Sequence, residues 1–310
     1  MKPLVFSAIA LFCLNGAAFA QTQPTPPVGP DWSKVELKVT DLGNRTYMLE
    51  NGISGNVTVA VGDDGIIMVD GQHAPMHDKL KAAIAKLSPQ PVRYLINTHV
   101  HGDHTGGNAG FAKDGVTIVS HINVRNRLAA GTTSNLTGAA NAPAPPEALP
   151  SKTYDGGGIT LEVKGRLAQL RHPANAHTDG DTYVYFADAN VLSTGDTFNN
   201  GHYQNSDWLN GGNLKGMIAA DDSYLALIND GTKVVPGHGP LGTKAQLKDF
   251  RDMVATSLAR MRQLIADGKV KSEAEAIELK PFADLDPKWA GNEQAARNWV
   301  RVVYHSAAAP

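Results

Sequence analysis

An apolar run, Val92 to Ile96, leads straight into Asn97-Thr98-His99-Val100-His101-Gly102-Asp103-His104-Thr105-Gly106-Gly107. Three imidazoles and a carboxylate within the six positions from His99 to His104 constrain this chain more than any other feature. Crowding that many potential charges is unfavourable unless a cation binds them. A polar loop of capping, solvated histidines would account for one such His, but poorly for three beside an Asp. In an extended segment alternate side chains share a face, so His99 and His101 are expected to face one cation with Val100 packed behind them. Gly102 is expected to allow a sharp turn, from which Asp103 and His104 reach a second cation next to the first.

With 310 residues, a net charge of -2, 42% hydrophobic and 19% charged residues, the chain can bury a full core and has no basic excess for nucleic acid. Lys2, the apolar stretch Leu4 to Leu14 and Ala18-Phe19-Ala20 before Gln21 read as an export signal over residues 1–20, with cleavage near Ala20. That stretch is too short to span a bilayer comfortably, so no stable membrane anchor is expected. The expected product is one catalytic domain over residues 21–310, periplasmic or secreted. Cys13, the only cysteine, lies inside the signal. The mature chain would then lack disulfides, thiolate catalysis and cysteine ligation, leaving imidazole and carboxylate as strong ligands.

Taken in order, Gln21 to Pro30 reads as an extended leader, and Val35, Leu37 and Val39 begin a meander of short strands that ends at Asp70. Helical spacing from Met76 to Leu87 and the strand Val92 to Ile96 follow. A further strand, Val116 to Val119, and a helix, Ile122 to Ala130, precede a connection rich in Gly, Ala, Pro, Ser and Thr from Gly131 to Gly158. That connection is long enough to be either disordered or a functional flap. Strand-like runs then end near His177, at Asp196 and at His238, each beside glycine or small polar residues. Thr243 with Gln246 forms a capping box ahead of the apolar stripe Leu247, Phe250, Val254, Leu258, Met261 and Ile265, and Glu293 to Tyr304 reads as a closing helix.

Four strand ends carrying His or Asp beside Gly closely resemble the metallo-β-lactamase superfamily: H-x-H-x-D-H at His99 to His104, then His177, Asp196 and Gly237-His238-Gly239. The resemblance covers essentially the mature chain. It implies an α/β fold, a four-layer αββα sandwich, and two zinc ions. His99, His101 and His177 would hold the first, Asp103, His104 and His238 the second, and Asp196 would bridge them. The β-lactamase subclasses with a Cys ligand at the last acidic position differ from this chain, which has Asp196 there and looks more like the general hydrolases, lactonases and thioesterases. Two cations roughly 3.5 to 4 Å apart would bring the pKa of a shared water near neutrality, and Asp103 would orient the resulting nucleophile. Zinc is the default for such ligands, with iron or manganese also compatible.

His73, His77, His121 and His305 are read as structural, and His172 as a possible partner of a ligand. The loop Asn199 to Gly212 follows Asp196, so His202, Tyr203, Trp208 and Asn210, with Lys215 as the nearest cation, are the candidates for substrate contact. Gly237 to Gly242 matches G-x-G-x-x-G, but no later acid-ended strand completes a dinucleotide unit, and neither S-x-x-K nor G-x-S-x-G occurs. The expected activity is opening of a cyclic amide in a small-molecule substrate, β-lactams first because of export, with lactones, esters or thioesters as the alternative. A mononuclear iron oxygenase of the persulfide-oxidising kind and a non-catalytic metal binder fit the second-site ligands less well.

Overall fold

A computed structural model describes residues 30–309, so the expected export signal and most of the leader lie outside the described residues. Contacts divide the chain at Lys34. Of the first unit, residues 30–34 are described and include a helical turn, Trp32–Lys34.

From Val35 onward the order is β1 (Lys38–Gly43), β2 (Thr46–Glu50), β3 (Val57–Val61), β4 (Ile66–Val69), α1 (His77–Leu87), β5 (Val92–Ile96), α2 (Gly102–Thr105), α3 (Asn108–Lys113), β6 (Thr117–His121) and α4 (Ile122–Ala130). A small hairpin, β7 (Thr132–Thr133) with β8 (Ala140–Asn141), precedes β9 (Lys152–Tyr154). Then come β10 (Gly158–Val163), β11 (Arg166–Arg171), β12 (Tyr183–Phe186), β13 (Val191–Ser193), α5 (Leu214–Leu227), β14 (Lys233–Val235), α6 (Lys244–Ala266), α7 (Glu273–Leu279), α8 (Asp286–Trp289) and α9 (Glu293–Ala308).

Two mixed sheets result, ordered β1-β2-β3-β4-β5-β6-β9 and β10-β11-β12-β13-β14. Every residue of β3 and β4 is buried, as continuous apolar runs require when a strand is covered on both faces. Between the sheets lies a core of Ile67, Val69, Ile96 and Val119 from one, and Leu161, Ala168, Leu170, Val184 and Phe186 from the other. The helices α5, α6, α7 and α9 close the outer face of the five-stranded sheet round Phe250, Trp299 and Tyr224. Leu80 of α1, Phe111 of α3 and Val124 of α4 are buried on the seven-stranded side. This is the αββα sandwich.

The capping box holds: Gln246 N–H donates to Thr243 Oγ1 at 3.3 Å, and Thr243 N–H donates to Gln246 Oε1 at 3.0 Å. Leu247, Phe250, Val254, Leu258 and Met261 all bury, each contributing about 1.5–3 kcal/mol of apolar transfer. Among the described residues no helix is long and apolar enough to cross a membrane.

Three expectations change. The first strand begins at Lys38 rather than Val35, because its side chains are largely exposed and pairing with β2, not alternation, sets its bounds. The connection 131–158 is ordered, with β9 extending the seven-stranded sheet next to β6. His99 and His101 do not share an extended strand, since β5 stops at Ile96 and the chain bends before α2. Gly102 makes no left-handed turn. It opens α2, with His101 as the residue preceding the helix, and the helical turn rather than glycine's freedom carries Asp103 and His104 back towards His99.

Asp221 of α5 is fully buried, and neither carboxyl oxygen has a hydrogen-bond partner. Burial, reinforced by neighbouring Asp222, holds its pKa well above the carboxylate range. The folded chain therefore keeps a proton that the unfolded chain releases, and stability declines as pH rises above the ordinary carboxylate value. Asp221→Asn should raise Tm by several degrees near pH 7 and change it little near pH 3, where the unfolded carboxyl too is largely protonated; thermal melts across pH check this.

Candidate metal centre

Four chain segments converge at the ends of the strands. The turn after β5 brings His99 and His101, and α2 brings Asp103 and His104. The loop from β11 to β12 brings His177, a helical turn after β13 brings Asp196, and the residues after β14 bring His238. They form two groups: His99, His101, His177 and Asp196 in one, Asp103, His104 and His238 in the other, each with its donor atoms within 4.8 Å of one another. Asp196 joins them. Its Oδ2 lies 3.8 Å from His99 Nε2 and 3.6 Å from His177 Nε2, and its Oδ1 lies 3.2 Å from His104 Nε2 and 3.5 Å from His238 Nε2.

The outer nitrogens of four imidazoles are already spoken for, and this fixes which nitrogen faces inward. Thr98 Oγ1 donates to Asp70 Oδ2 at 2.8 Å, so it accepts from His99 Nδ1 at 3.0 Å. His104 Nδ1 donates to Asp70 Oδ2 at 2.8 Å, and His177 Nδ1 to the Asn205 carbonyl at 2.7 Å. His101 is turned the other way, with Nε2 donating to Asp207 Oδ2 at 2.9 Å. In its neutral form each ring turns its remaining lone pair towards Asp196 or another ring. His177 Nε2 approaches His101 Nδ1 to 3.0 Å, and His104 Nε2 approaches His238 Nε2 to 3.4 Å.

These contacts fit metal ions. His99 Nε2 and Asp196 Oδ1 are buried without a hydrogen-bond partner, which is costly unless something else is bound there. Glycine makes the room. A Cβ on Gly55 would come within 2.2 Å of the His104 ring, and one on Gly237 within 1.9 Å of Asp196 Oδ1.

Charge is distributed in the same sense. Burial, helped by His104, holds His99 neutral, and burial also takes His177 down to about 4. Both are thus ready as ligands, since metals take the unprotonated ring. Burial opposes charge on His104 and His238 as well, but Asp196 and Asp103 outweigh it and raise both, His104 well above its ordinary value. Burial likewise opposes ionisation of Asp196, and there the surrounding imidazoles win and hold it well below its usual range. Burial opposes charge on His101 too, but Asp207 and Asp196 raise it, so the carboxylates draw towards these rings a positive charge that a cation would supply instead.

The loop after Asp196 does something its composition did not announce. Gln204 Nε2 donates to the Asp196 carbonyl, while its Oε1 accepts from Asn199 Nδ2 at 3.0 Å. Asn199 Oδ1 in turn accepts from His238 N–H at 3.0 Å. With Asn205 on His177 and Asp207 on His101, residues 204–207 support four of the seven candidate ligands. Of the substrate candidates, Tyr203 stacks on Trp299 with ring centroids 4.9 Å apart and donates to Asp286 Oδ1 at 2.9 Å. Trp208 stacks on His305 at 4.0 Å. Asn210 Nδ2 donates to Asp207 Oδ2 at 2.7 Å and to the Thr133 carbonyl at 3.1 Å. His202 is exposed, and Lys215 lines a separate surface cleft with Asn175 and Gly216.

Asp70, Asn205, Asp207, Gln204 and Gly55 were not picked out from the sequence as parts of the site, and Gly237 entered only through the G-H-G element. Only Asp70 carries a signal, an acid at the end of an apolar strand run and followed by Gly. His73, read as structural, hydrogen-bonds Ser54 Oγ at 2.8 Å, and burial lowers its pKa against the pull of nearby Asp103. His77 joins Asp78 and Asp114, and His172 stacks on His121 at 3.8 Å with Nδ1 on the Asp181 carbonyl.

The sequence pattern of the metallo-β-lactamase superfamily matches residues 51–240, which contain every candidate ligand. The chain belongs to the metallo-β-lactamase superfamily. Members of this superfamily are typically metal-dependent hydrolases. The α subunit of 2,4-dinitroanisole O-demethylase from Nocardioides sp. (strain JS1661) is 26% identical over 56% of this chain and 49% of its own length. Hydroxyacylglutathione hydrolase from Nitrosococcus oceani (strain ATCC 19707 / BCRC 17464 / JCM 30415 / NCIMB 11848 / C-107) is 29% identical over 53% of this chain and 55% of its own. The chain thus spans about half the length of the curated relatives it matches. Among solved structures, a metallo-β-lactamase from Pontibacter korlensis superposes with a TM-score of 0.59 at 20% identity, over 71% of this chain and 99% of that one. The metallo-β-lactamase DIM-1 gives 0.58 at 19% identity, over 72% and 98%. At these identities the likeness is one of fold.

Proposed function

We propose that this superfamily member is an exported dinuclear zinc hydrolase that opens a carbonyl substrate, and that a β-lactam is the first class to test. The observation that carries the dinuclear reading is Asp196, whose two carboxyl oxygens each face a different group of imidazoles. His99, His101 and His177 would hold one ion, Asp103, His104 and His238 the other, with Asp196 shared. Bound there, two zinc ions supply Lewis acidity and a nucleophile active at neutral pH. Asp103 is the catalytic carboxylate. Its side chain is 25% exposed and lies 3.0 Å from His238 Nε2; His104 and His238 hold it ionised, so it would orient the nucleophile by accepting a hydrogen bond from it. Buried His99 and His104 exclude water from the opposite side, which strengthens every electrostatic interaction across the centre.

A second reading, cleavage of a lactone, ester or thioester, is favoured by a carboxylate at position 196 in place of a thiolate and by the curated relative that is a hydroxyacylglutathione hydrolase. Turnover of a chromogenic cephalosporin should be abolished by a chelator and restored by zinc. Failure of the zinc-loaded protein to cleave it, alongside clear ester or lactone cleavage, would replace the first reading with the second. Metal analysis separates both from an iron oxygenase: two zincs per chain are expected, and a single iron would overturn the hydrolase.

A further inference from the structure

Beside His101 lies a cavity of about 270 Å³ lined mostly by neutral polar side chains, with Asp207 as its one carboxylate. The hairpin supplies Thr132, Thr133, Asn135 and Asn141, and the loop after Asp196 supplies Asn205 and Asn210. An adjoining cavity of about 210 Å³ shares His101, Thr132 and Asn141, and adds Arg127.

Arg127 is the only cation lining either cavity, and it is committed on every side. Its Nε and Nη2 donate to the two carboxyl oxygens of Asp179, each at 2.6 Å, and its Nη1 donates to Asn210 Oδ1 at 3.0 Å. At the base of the chamber the one ionised group is the Asp207 carboxylate, turned to His101. A carboxylate brought into this chamber would lose part of its hydration, find the Arg127 guanidinium already paired and face Asp207. A carboxamide or hydroxyl would exchange water for amides and hydroxyls that both donate and accept.

The walls are also held in place. Asn135 and Asn205 exchange two side-chain hydrogen bonds, at 2.9 and 3.0 Å. Asn210 ties the Thr133 carbonyl to Asp207, and Arg301 of α9 donates to the Leu136 carbonyl at 2.8 Å. The hairpin is thus latched to the loop that supports the ligands and to the last helix, giving a preformed chamber rather than an open surface.

We infer that this chamber seats an uncharged, hydrogen-bonding substituent of the substrate, a carboxamide or hydroxyl group carried a few methylenes from the scissile carbonyl, and discriminates against a carboxylate there. The inference rests on the hydrolase reading and names the substrate class for the same site. Asn141 is the specificity position, since it is exposed at the rim and shared by both cavities, with Nδ2 on Thr132 Oγ1 at 3.0 Å.

The test uses the zinc-loaded full chain and two 4-nitrophenyl esters of adipic acid, one with the far carboxyl free and one with it as the carboxamide. The carboxamide ester should be cleaved with a kcat/KM about tenfold or more above the free acid, as expected for a desolvated charge without a partner. Asn141→Lys, which adds a cation at the rim, should narrow or reverse that ratio. In the zinc-loaded protein, adipamide should shift the side-chain amide NMR signals of Asn141 and Asn205, and adipate should not. Equal or better cleavage of the free acid, or a ratio unmoved by Asn141→Lys, overturns the inference while leaving the hydrolase intact. Cleavage of neither ester overturns the ester reading, and the NMR titration then decides the chamber by itself, with absence of the adipamide shifts overturning it.

Discussion

Replacing Asp196 by Asn is expected to lower kcat/KM by about three orders of magnitude and to leave the purified protein with no more than one tightly held metal ion. The side chain is 7% exposed and reaches both groups, with Oδ1 at 3.2 Å from His104 Nε2 and Oδ2 at 3.6 Å from His177 Nε2. An amide has nearly the same shape, so the backbone of Gly195 and Gly237, which leaves no room for even a Cβ at position 237, is not disturbed. What changes is charge and lone pairs. One oxygen becomes a donor aimed at an imidazole, and the negative charge that raises His104 and His238 is lost. Metal content after gel filtration, kcat/KM, and a thermal melt to confirm folding check the expectation together. Two ions retained at an unchanged rate would show that Asp196 is not shared.

The seven candidate ligands were legible because metal chemistry restricts them to few residue types, and because four of them fall within a single stretch. Their supports were not. Asp207 meets His101 across 106 positions, and Asp70 meets His104 across 34. An Asp that will hold a ring nitrogen reads in the sequence like any solvated loop Asp. Gly55 was invisible, and the reason for Gly237 in the G-H-G element unreadable, because their need for glycine arises from the His104 ring and the Asp196 carboxyl arriving from elsewhere in the chain. Strand and helix positions came through well where apolar spacing and caps coincide, as in α6. They failed at His99 and His101, where period-two reasoning was extended past the end of β5 into residues whose backbone is set by α2 and by the Asp70 hydrogen bonds to Thr98. The loop candidates Tyr203 and Trp208 show the other weakness of proximity in sequence. Both rings are stacked on α9, and the residues between them turn their polar groups to the ligands.

Asp207→Asn should weaken binding at the group formed by His99, His101, His177 and Asp196 by roughly 10- to 100-fold, with a smaller change at the group of Asp103, His104 and His238. Asp207 is 1% exposed, and its Oδ2 accepts from both His101 Nε2 and Asn210 Nδ2. Those two donors oblige an introduced amide to keep its oxygen at that position and to place its NH₂ where Oδ1 accepts the Asn210 N–H at 3.3 Å. The His101 contact survives as a neutral hydrogen bond, but the charge that anchors the proton on Nε2 is gone. His101 can then carry its proton on Nδ1, the atom that faces His177 Nε2 at 3.0 Å, and in that form it offers the ion no lone pair. Zinc titration against a chromogenic chelator should resolve one weakened step and one little changed. In the variant kcat/KM should recover as free zinc is raised, which a merely misfolded protein would not do. Equal weakening of both steps would assign Asp207 to the fold of the loop, and no weakening would mean that His101 is oriented by its backbone alone.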